Sequence, residues 1–188
     1  MSDNDSKKSN NSHLIWAGVG ALADVLWSKS KTADSKKSRA ERYHPDEVYE
    51  VCNDVYELLA GLELYRDYED ENVYARIVAE YLDENSDWNI ELWPRTPEGT
   101  PDILVEDFLA LEFKLNPNKA ERERCVGQCA GYSKLWPTWI ILIDTPDSRA
   151  GRLEELLKDK GLEHLWIWTF PLNELEEEED DEENDDDE

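Results

Sequence analysis

Pro101-Asp-Ile-Leu-Val-Glu-Asp-Phe-Leu-Ala-Leu-Glu-Phe-Lys-Leu115 is the stretch on which the fold turns. Its apolar residues fall into two short runs, 102–105 and 108–115, parted by Glu106-Asp107, a pair that reads as a tight hairpin turn. Two antiparallel strands are expected, with Asp102 opening the first. Glu112 and Lys114 lie two residues apart on the second, so their side chains share one face.

Upstream, residues 88–93 alternate like a half-buried strand and 94–100 turn. Before them, 71–82 has helical spacing with Val73, Ile77, Val78 and Tyr81 facing inward. An earlier helix starts at Pro45 and carries Val48, Val51, Val55, Leu58, Leu59 and Leu62 on one face. Downstream, a helix over 119–135 follows Asn116-Pro-Asn118. The unbroken apolar run 138–143 reads as a central strand buried on both faces. A helix over 148–160 closes at Gly161, and 165–170 forms a last strand. The order α, α, β, β, β, α, β, α, β predicts an α/β domain whose central mixed sheet is flanked by helices.

The chain has 188 residues, with 20 Lys and Arg against 46 Asp and Glu, a formal charge of −26. That excludes a basic nucleic-acid coat and a polytopic membrane protein. Residues 174–188 hold 13 acids and no base and read as a disordered tail. Residues 1–43 read as a mobile arm carrying a short apolar helix at 14–27, leaving 44–173 as one domain. A 14-residue helix rises ~21 Å, short of the ~30 Å hydrocarbon core, so no membrane span is expected. Cys52, Cys125 and Cys129 form no CxxC pair, which points to buried thiols and a reducing cytoplasm. His13, His44 and His164 are scattered without metal-ligand spacing.

Two carboxylates converging on one point repel each other unless a cation lies between them. A site of oxygen ligands alone suits Mg²⁺ or Mn²⁺. Asp102 and Glu112 are the candidate ligands, with the Phe113 carbonyl as a further oxygen. Lys114 beside them would orient or deprotonate a water, or stabilise a pentavalent phosphorane.

Pro101-Asp102 followed ten residues later by Glu112-Phe-Lys114, within an α-β-β-β-α-β order, resembles the PD-(D/E)XK nuclease superfamily. Gln128-Cys-Ala-Gly-Tyr132 on the next helix is similar to the QxxxY motif of its RecB-like branch, and Lys119-Ala-Glu-Arg-Glu-Arg124 resembles archaeal and viral members. The resemblance implies a restriction-endonuclease-like core and Mg²⁺-dependent hydrolysis of phosphodiester bonds in DNA. Asp102 and Glu112 would hold the metal, Lys114 would act on water or transition state, and Gln128 would support them. The family's early helical glutamate corresponds best to Glu80, as catalytic support and metal ligand, with Glu57 as second choice.

Lys119, Arg122, Arg124 and Lys134 make the Gln128 helix the most basic part of the domain, and with Tyr132 they are the candidate substrate contacts. A chain of charge −26 repels DNA at long range, so either it works in high salt or its acidic tail competes with DNA for this helix. Trp136, Trp139, Trp166 and Trp168 either cover an interface, as in a homodimer, or belong to the core. Two rival functions stand beside the nuclease. One is a catalytically silent interaction protein on the same fold, recruiting a partner through 14–27 or the tail; the other is an acidic mimic of DNA.

Overall fold

The computed structural model describes residues 45–174, Phe108 excepted. The expectations for the arm, the apolar helix at 14–27, His13, His44, the strand start at Phe108 and the tail beyond Glu174 lie outside these residues. The elements are α1 Pro45–Ala60, α2 Glu71–Asn85, β1 Ile90–Leu92, β2 Ile103–Val105, β3 Leu109–Leu115, α3 Lys119–Tyr132, β4 Thr138–Ile143, α4 Asp147–Asp159 and β5 Trp166–Phe170. Together they make an α/β unit of five strands and four helices, in the order read from the sequence. No helix among the described residues is long and apolar enough to cross a membrane.

The sheet order is β1-β2-β3-β4-β5. β1 and β2 pair antiparallel, as do β2 and β3, while β3–β4 and β4–β5 are parallel. Each parallel step needs a crossover, supplied by α3 and α4. The β2–β3 hairpin turns through Glu106 (φ 48°) and Asp107 (φ 64°), both left-handed. Trp136 fixes that turn by donating its indole N–H to the Asp107 carbonyl at 2.8 Å.

β3 and β4 are buried along their length apart from half-buried Leu115. One sheet face collects Leu111, Phe113 and Leu115 of β3, Trp139, Ile141 and Ile143 of β4, and Trp166, Trp168 and Phe170 of β5. Trp139 meets Trp166 edge-on at 4.4 Å, and Tyr56 of α1 packs on Trp168 at 5.0 Å. Trp136 and Trp139 are core residues, and Trp166 and Trp168 are half-buried against that core. The opposite face carries Ala110, Glu112 and Lys114 beside Thr138, Ile140 and Leu142.

α2 differs from expectation in its rotation. Its buried residues are Tyr74, Ala75, Val78, Ala79 and Leu82, whereas Val73, Ile77 and Tyr81 are only half-buried. Ala75 and Ala79 are small enough to let the helix approach its neighbours closely, a role that hydrophobicity alone does not reveal. α2 is capped by Asp70, which accepts from the Asn72 N–H at 2.9 Å. α3 has a reciprocal cap, with Asn118 accepting from Ala120 and Glu121 N–H groups and Glu121 accepting from Asn118 N–H.

The loop 94–100 lies on the C-terminal turn of α3. A Cβ on Gly131 would meet the Glu98 carbonyl oxygen at 2.6 Å, and one on Gly99 (φ 127°) would meet Tyr132 at 2.8 Å. Gly131→Ala should therefore destabilise the protein by about 1–3 kcal/mol. Gly127→Ala on the same helix, where nothing lies within 4 Å of the added carbon, should stabilise it by up to about 1 kcal/mol. Urea unfolding of the two variants reads both signs.

Candidate active site

Asp102 precedes β2, and the β2–β3 register, Ile103 opposite Leu111, carries it to a place across from Glu112. The Asp102 carboxylate accepts the Phe113 N–H at 2.7 Å. Glu112 and Lys114 lie on one face of β3 and are almost fully buried, at 1% and 3% exposure. Their side chains meet at 2.8 Å, and the Lys114 ammonium also donates to the Phe113 carbonyl. Asp102, Glu112 and Lys114 thus come together as the sequence predicts.

The fourth charged member is one that sequence reading missed. Glu71, in the first turn of α2, reaches Lys114 Nζ at 3.2 Å and the Leu115 N–H at 3.4 Å. Glu80, expected in this place, is exposed, as is Glu57. The reason is helical phase: Glu80 lies nine residues beyond Glu71, about two and a half turns, and so on the opposite side of the helix. The spacing Glu71, Ala75, Val78, Leu82 marks the buried stripe, and Asp70 as a cap just before it is the sequence signal that could have found Glu71.

α3 lies over the carboxylate face. Cys129 and Tyr132 both feel the Glu112 charge. Gln128 and Tyr132 lie one turn apart on α3. Gln128 Oε1 is buried without a partner. Tyr132 is 1% exposed and donates to the Thr100 carbonyl at 2.8 Å. It therefore anchors the chain two residues before Asp102 and is not available to a substrate. Burial is the largest influence raising its pKa, followed by the charge of Glu112.

The basic residues of α3 do not form a phosphate cradle. Arg122 is buried and its guanidinium holds the Pro117 carbonyl at 2.7 Å, clamping the turn before the helix. Lys119 pairs with Glu123 at 3.8 Å, Lys134 pairs with Glu98 at 3.4 Å, and Arg124 is exposed. Cys52, Cys125 and Cys129 are free and buried. Cys125 and Cys129 touch at 3.9 Å, and that hydrogen bond together with burial keeps the Cys129 thiol protonated.

Burial sets the electrostatics of the centre. It raises the Asp102 pKa against the opposing hydrogen bond from Phe113. It pushes Glu112 up to about 7, with the Asp102 charge adding to the shift and Lys114 opposing it. Lys114 goes the other way from a lone buried lysine: the Glu112 charge and hydrogen bond outweigh desolvation and hold it protonated.

The donor chemistry fits a hard divalent cation in part. Asp102 and Glu112 offer only oxygen, and Glu112 Oε2 is buried without a hydrogen-bond partner. The Phe113 carbonyl, expected as a third ligand, is instead engaged by Lys114. Among the described residues no group of three or more His, Cys, Asp or Glu side chains is arranged to hold a metal ion. Comparison with family models, with curated proteins and with solved structures finds no match to this chain.

A carboxyl whose pKa is higher folded than unfolded binds its proton more tightly in the folded state, so its contribution to stability falls as pH rises from the unfolded pKa to the folded one. For Glu112 that window runs from 4.5 to about 7. Glu112→Gln should therefore gain stability relative to the parent on going from pH 5 to pH 8, by on the order of 2–3 kcal/mol. Urea midpoints of both proteins at the two pH values measure the difference.

Proposed function

We propose that this protein is a Mg²⁺- or Mn²⁺-dependent nuclease that hydrolyses phosphodiester bonds in DNA, built on a restriction-endonuclease-like core. The observation that carries the reading is the meeting of Asp102, Glu112 and Lys114 at one point, with one Glu112 oxygen left without a partner. A hairpin feeding a strand that crosses through α3 to a parallel neighbour supports the core assignment. Half-buried Gln128 of α3, with its Oε1 shielded from solvent, adds to it.

Asp102 and Glu112 would hold the cation, which when bound supplies Lewis-acid stabilisation of a phosphate and an acidified water. The repulsion between the two carboxylates, relieved on binding, favours it. Lys114 is protonated, which makes it an electrostatic partner for charge developing on phosphate oxygens rather than a general base. Glu71 holds that ammonium in place from the far side. Gln128 Oε1 provides an acceptor for the attacking water.

One feature favours the silent-scaffold reading. Lys114 has carboxylates on two sides and a carbonyl beside it, a closed ion-pair cluster that stabilises itself without a ligand.

The test is cleavage of linear, circular, single-stranded and branched DNA with Mg²⁺ or Mn²⁺, from low to molar salt. Glu112→Ala and Lys114→Ala should each lose at least about a hundredfold in rate. Glu71→Gln should reduce the rate, whereas Glu80→Gln should leave it within about twofold because Glu80 faces away. Absence of cleavage by the folded parent under every condition would remove the enzyme reading and favour the silent scaffold.

A further inference from the structure

Between α1 and α2 the loop 61–70 reads Gly-Leu-Glu-Leu-Tyr-Arg-Asp-Tyr-Glu-Asp and leads directly into Glu71. Its two tyrosines are the large hydrophobic side chains that stay exposed among the described residues, Tyr65 at 41% and Tyr68 at 44%. The loop that carries them is fastened from two sides. The hydroxyl of Tyr74, a fully buried residue of α2, lies 3.1 Å from the Tyr65 carbonyl and 3.2 Å from the Tyr68 carbonyl, and it accepts the Tyr68 N–H at 3.4 Å. The Tyr68 ring meets Tyr74 edge-on at 5.9 Å. Asn173, beyond β5, accepts the Arg66 N–H and donates to the Leu64 carbonyl, each at 2.8 Å. The Arg66 side chain is tied to Asp144, just after β4, at 2.8 Å.

Exposed rings on a fastened loop form a preorganised aromatic surface, since little ordering entropy is left to lose when a flat ligand packs on them. Their place in the fold ties them to the acid cluster. Tyr68 stands three residues before Glu71, so the two Cα atoms are at most about 11 Å apart. The Glu71 carboxylate in turn lies on Lys114 Nζ at 3.2 Å. The charges of the loop decide which form of DNA reaches the rings. Four acids, Glu63, Asp67, Glu69 and Asp70, stand against one base, Arg66, which is already paired. Duplex DNA presents a phosphate charge every ~1.7 Å of its axis and keeps its bases stacked inside, so it meets repulsion here and offers the rings nothing. An unpaired strand carries about half that charge density and exposes a π-face on every base, which stacks on tyrosine without neutralising a phosphate.

We propose that Tyr65 and Tyr68 form a stacking platform for unpaired bases and make single-stranded DNA, rather than duplex, the form that the centre receives. The use of the platform in cleavage rests on the nuclease reading, while the stacking itself does not. Stacking supplies affinity that the buried Arg122 and the paired Lys119 and Lys134 do not.

The test on the full chain is fluorescence anisotropy in EDTA, where no metal-dependent cleavage occurs. The probes are an end-labelled oligothymidylate, the same sugar–phosphate strand with abasic spacers in place of its bases, and a duplex of equal length. In molar salt, which screens the net charge for all three, the parent should bind the oligothymidylate at least about tenfold more tightly than either of the others. Tyr65→Ala combined with Tyr68→Ala should abolish that difference, whereas Tyr65→Phe combined with Tyr68→Phe should keep it. A parent that binds the abasic strand as well as the oligothymidylate overturns the platform, whatever the variants do. An alanine variant with the parental thermal midpoint that keeps the difference overturns it too. Cleavage with Mg²⁺ then separates the platform from the nuclease reading. Faster cleavage of single strands than of duplex, equalised in the alanine variant, supports both. Equal cleavage of the two forms by the parent overturns the platform as the selector of substrate and leaves the nuclease. Base-dependent binding without cleavage of either form overturns the nuclease reading and leaves the platform.

Discussion

A lysine side chain enclosed in the middle of a sheet is the constraint to which the surrounding structure answers. An ammonium removed from water costs several kcal/mol unless carboxylates and hydrogen-bond acceptors surround it. Lys114 is 3% exposed and is compensated from within its own strand by Glu112 and from α2 by Glu71. Those two compensations fix where α2 begins and which way it is turned. Lys114 also offsets part of the burial that pushes Glu112, itself 1% exposed, up to about 7. Asp102, half-buried across the hairpin, brings a further carboxyl to the same place, and burial raises its pKa as well. The centre gathers Asp102, Glu112 and Glu71 around one buried lysine, with one Glu112 oxygen left without a hydrogen-bond partner.

Much of this was legible in the sequence, and the parts that were not share a cause. The hairpin, the central apolar strand and the crossover helices follow from short-range pattern: period-two alternation, an acidic pair at a turn, an Asn cap before Lys119. Asp102, Glu112 and Lys114 were legible because two adjacent strands with a short turn leave their pairing little freedom. Glu80 was misplaced because a helix that packs through alanine and tyrosine hides its phase; Ala75 and Ala79 are buried yet contribute little to a hydrophobic pattern. The error of half a turn exchanged Glu71 for Glu80. Arg122 was misread for a related reason: a cation adjacent in sequence to exposed charges is equally able to turn inward and satisfy a carbonyl.

The charge distribution follows from the same arrangement. Of the cations that the sequence placed around Gln128, one is spent on a turn and two are paired with acids on the surface. The domain therefore offers no broad positive field to gather a polyanion, and surface pairs of that kind contribute little to stability. A polyanion would meet the chain's net charge of −26 unless salt screened it.

The hairpin at Glu106-Asp107 has a consequence beyond its own turn. Because side chains alternate across a sheet, sliding β2 by one residue against β3 would send the Asp102 side chain to the tryptophan-lined face and put Ile103 in its place. The left-handed pair and the Trp136 indole that pins it act as the indexing mark of the molecule, setting the count on which both acids arrive at one address. A length change of a single residue in this turn would part the two carboxylates and turn the buried side chains of β2 to the wrong faces. In evolutionary terms, loop length here is as much a part of the site as the acids themselves.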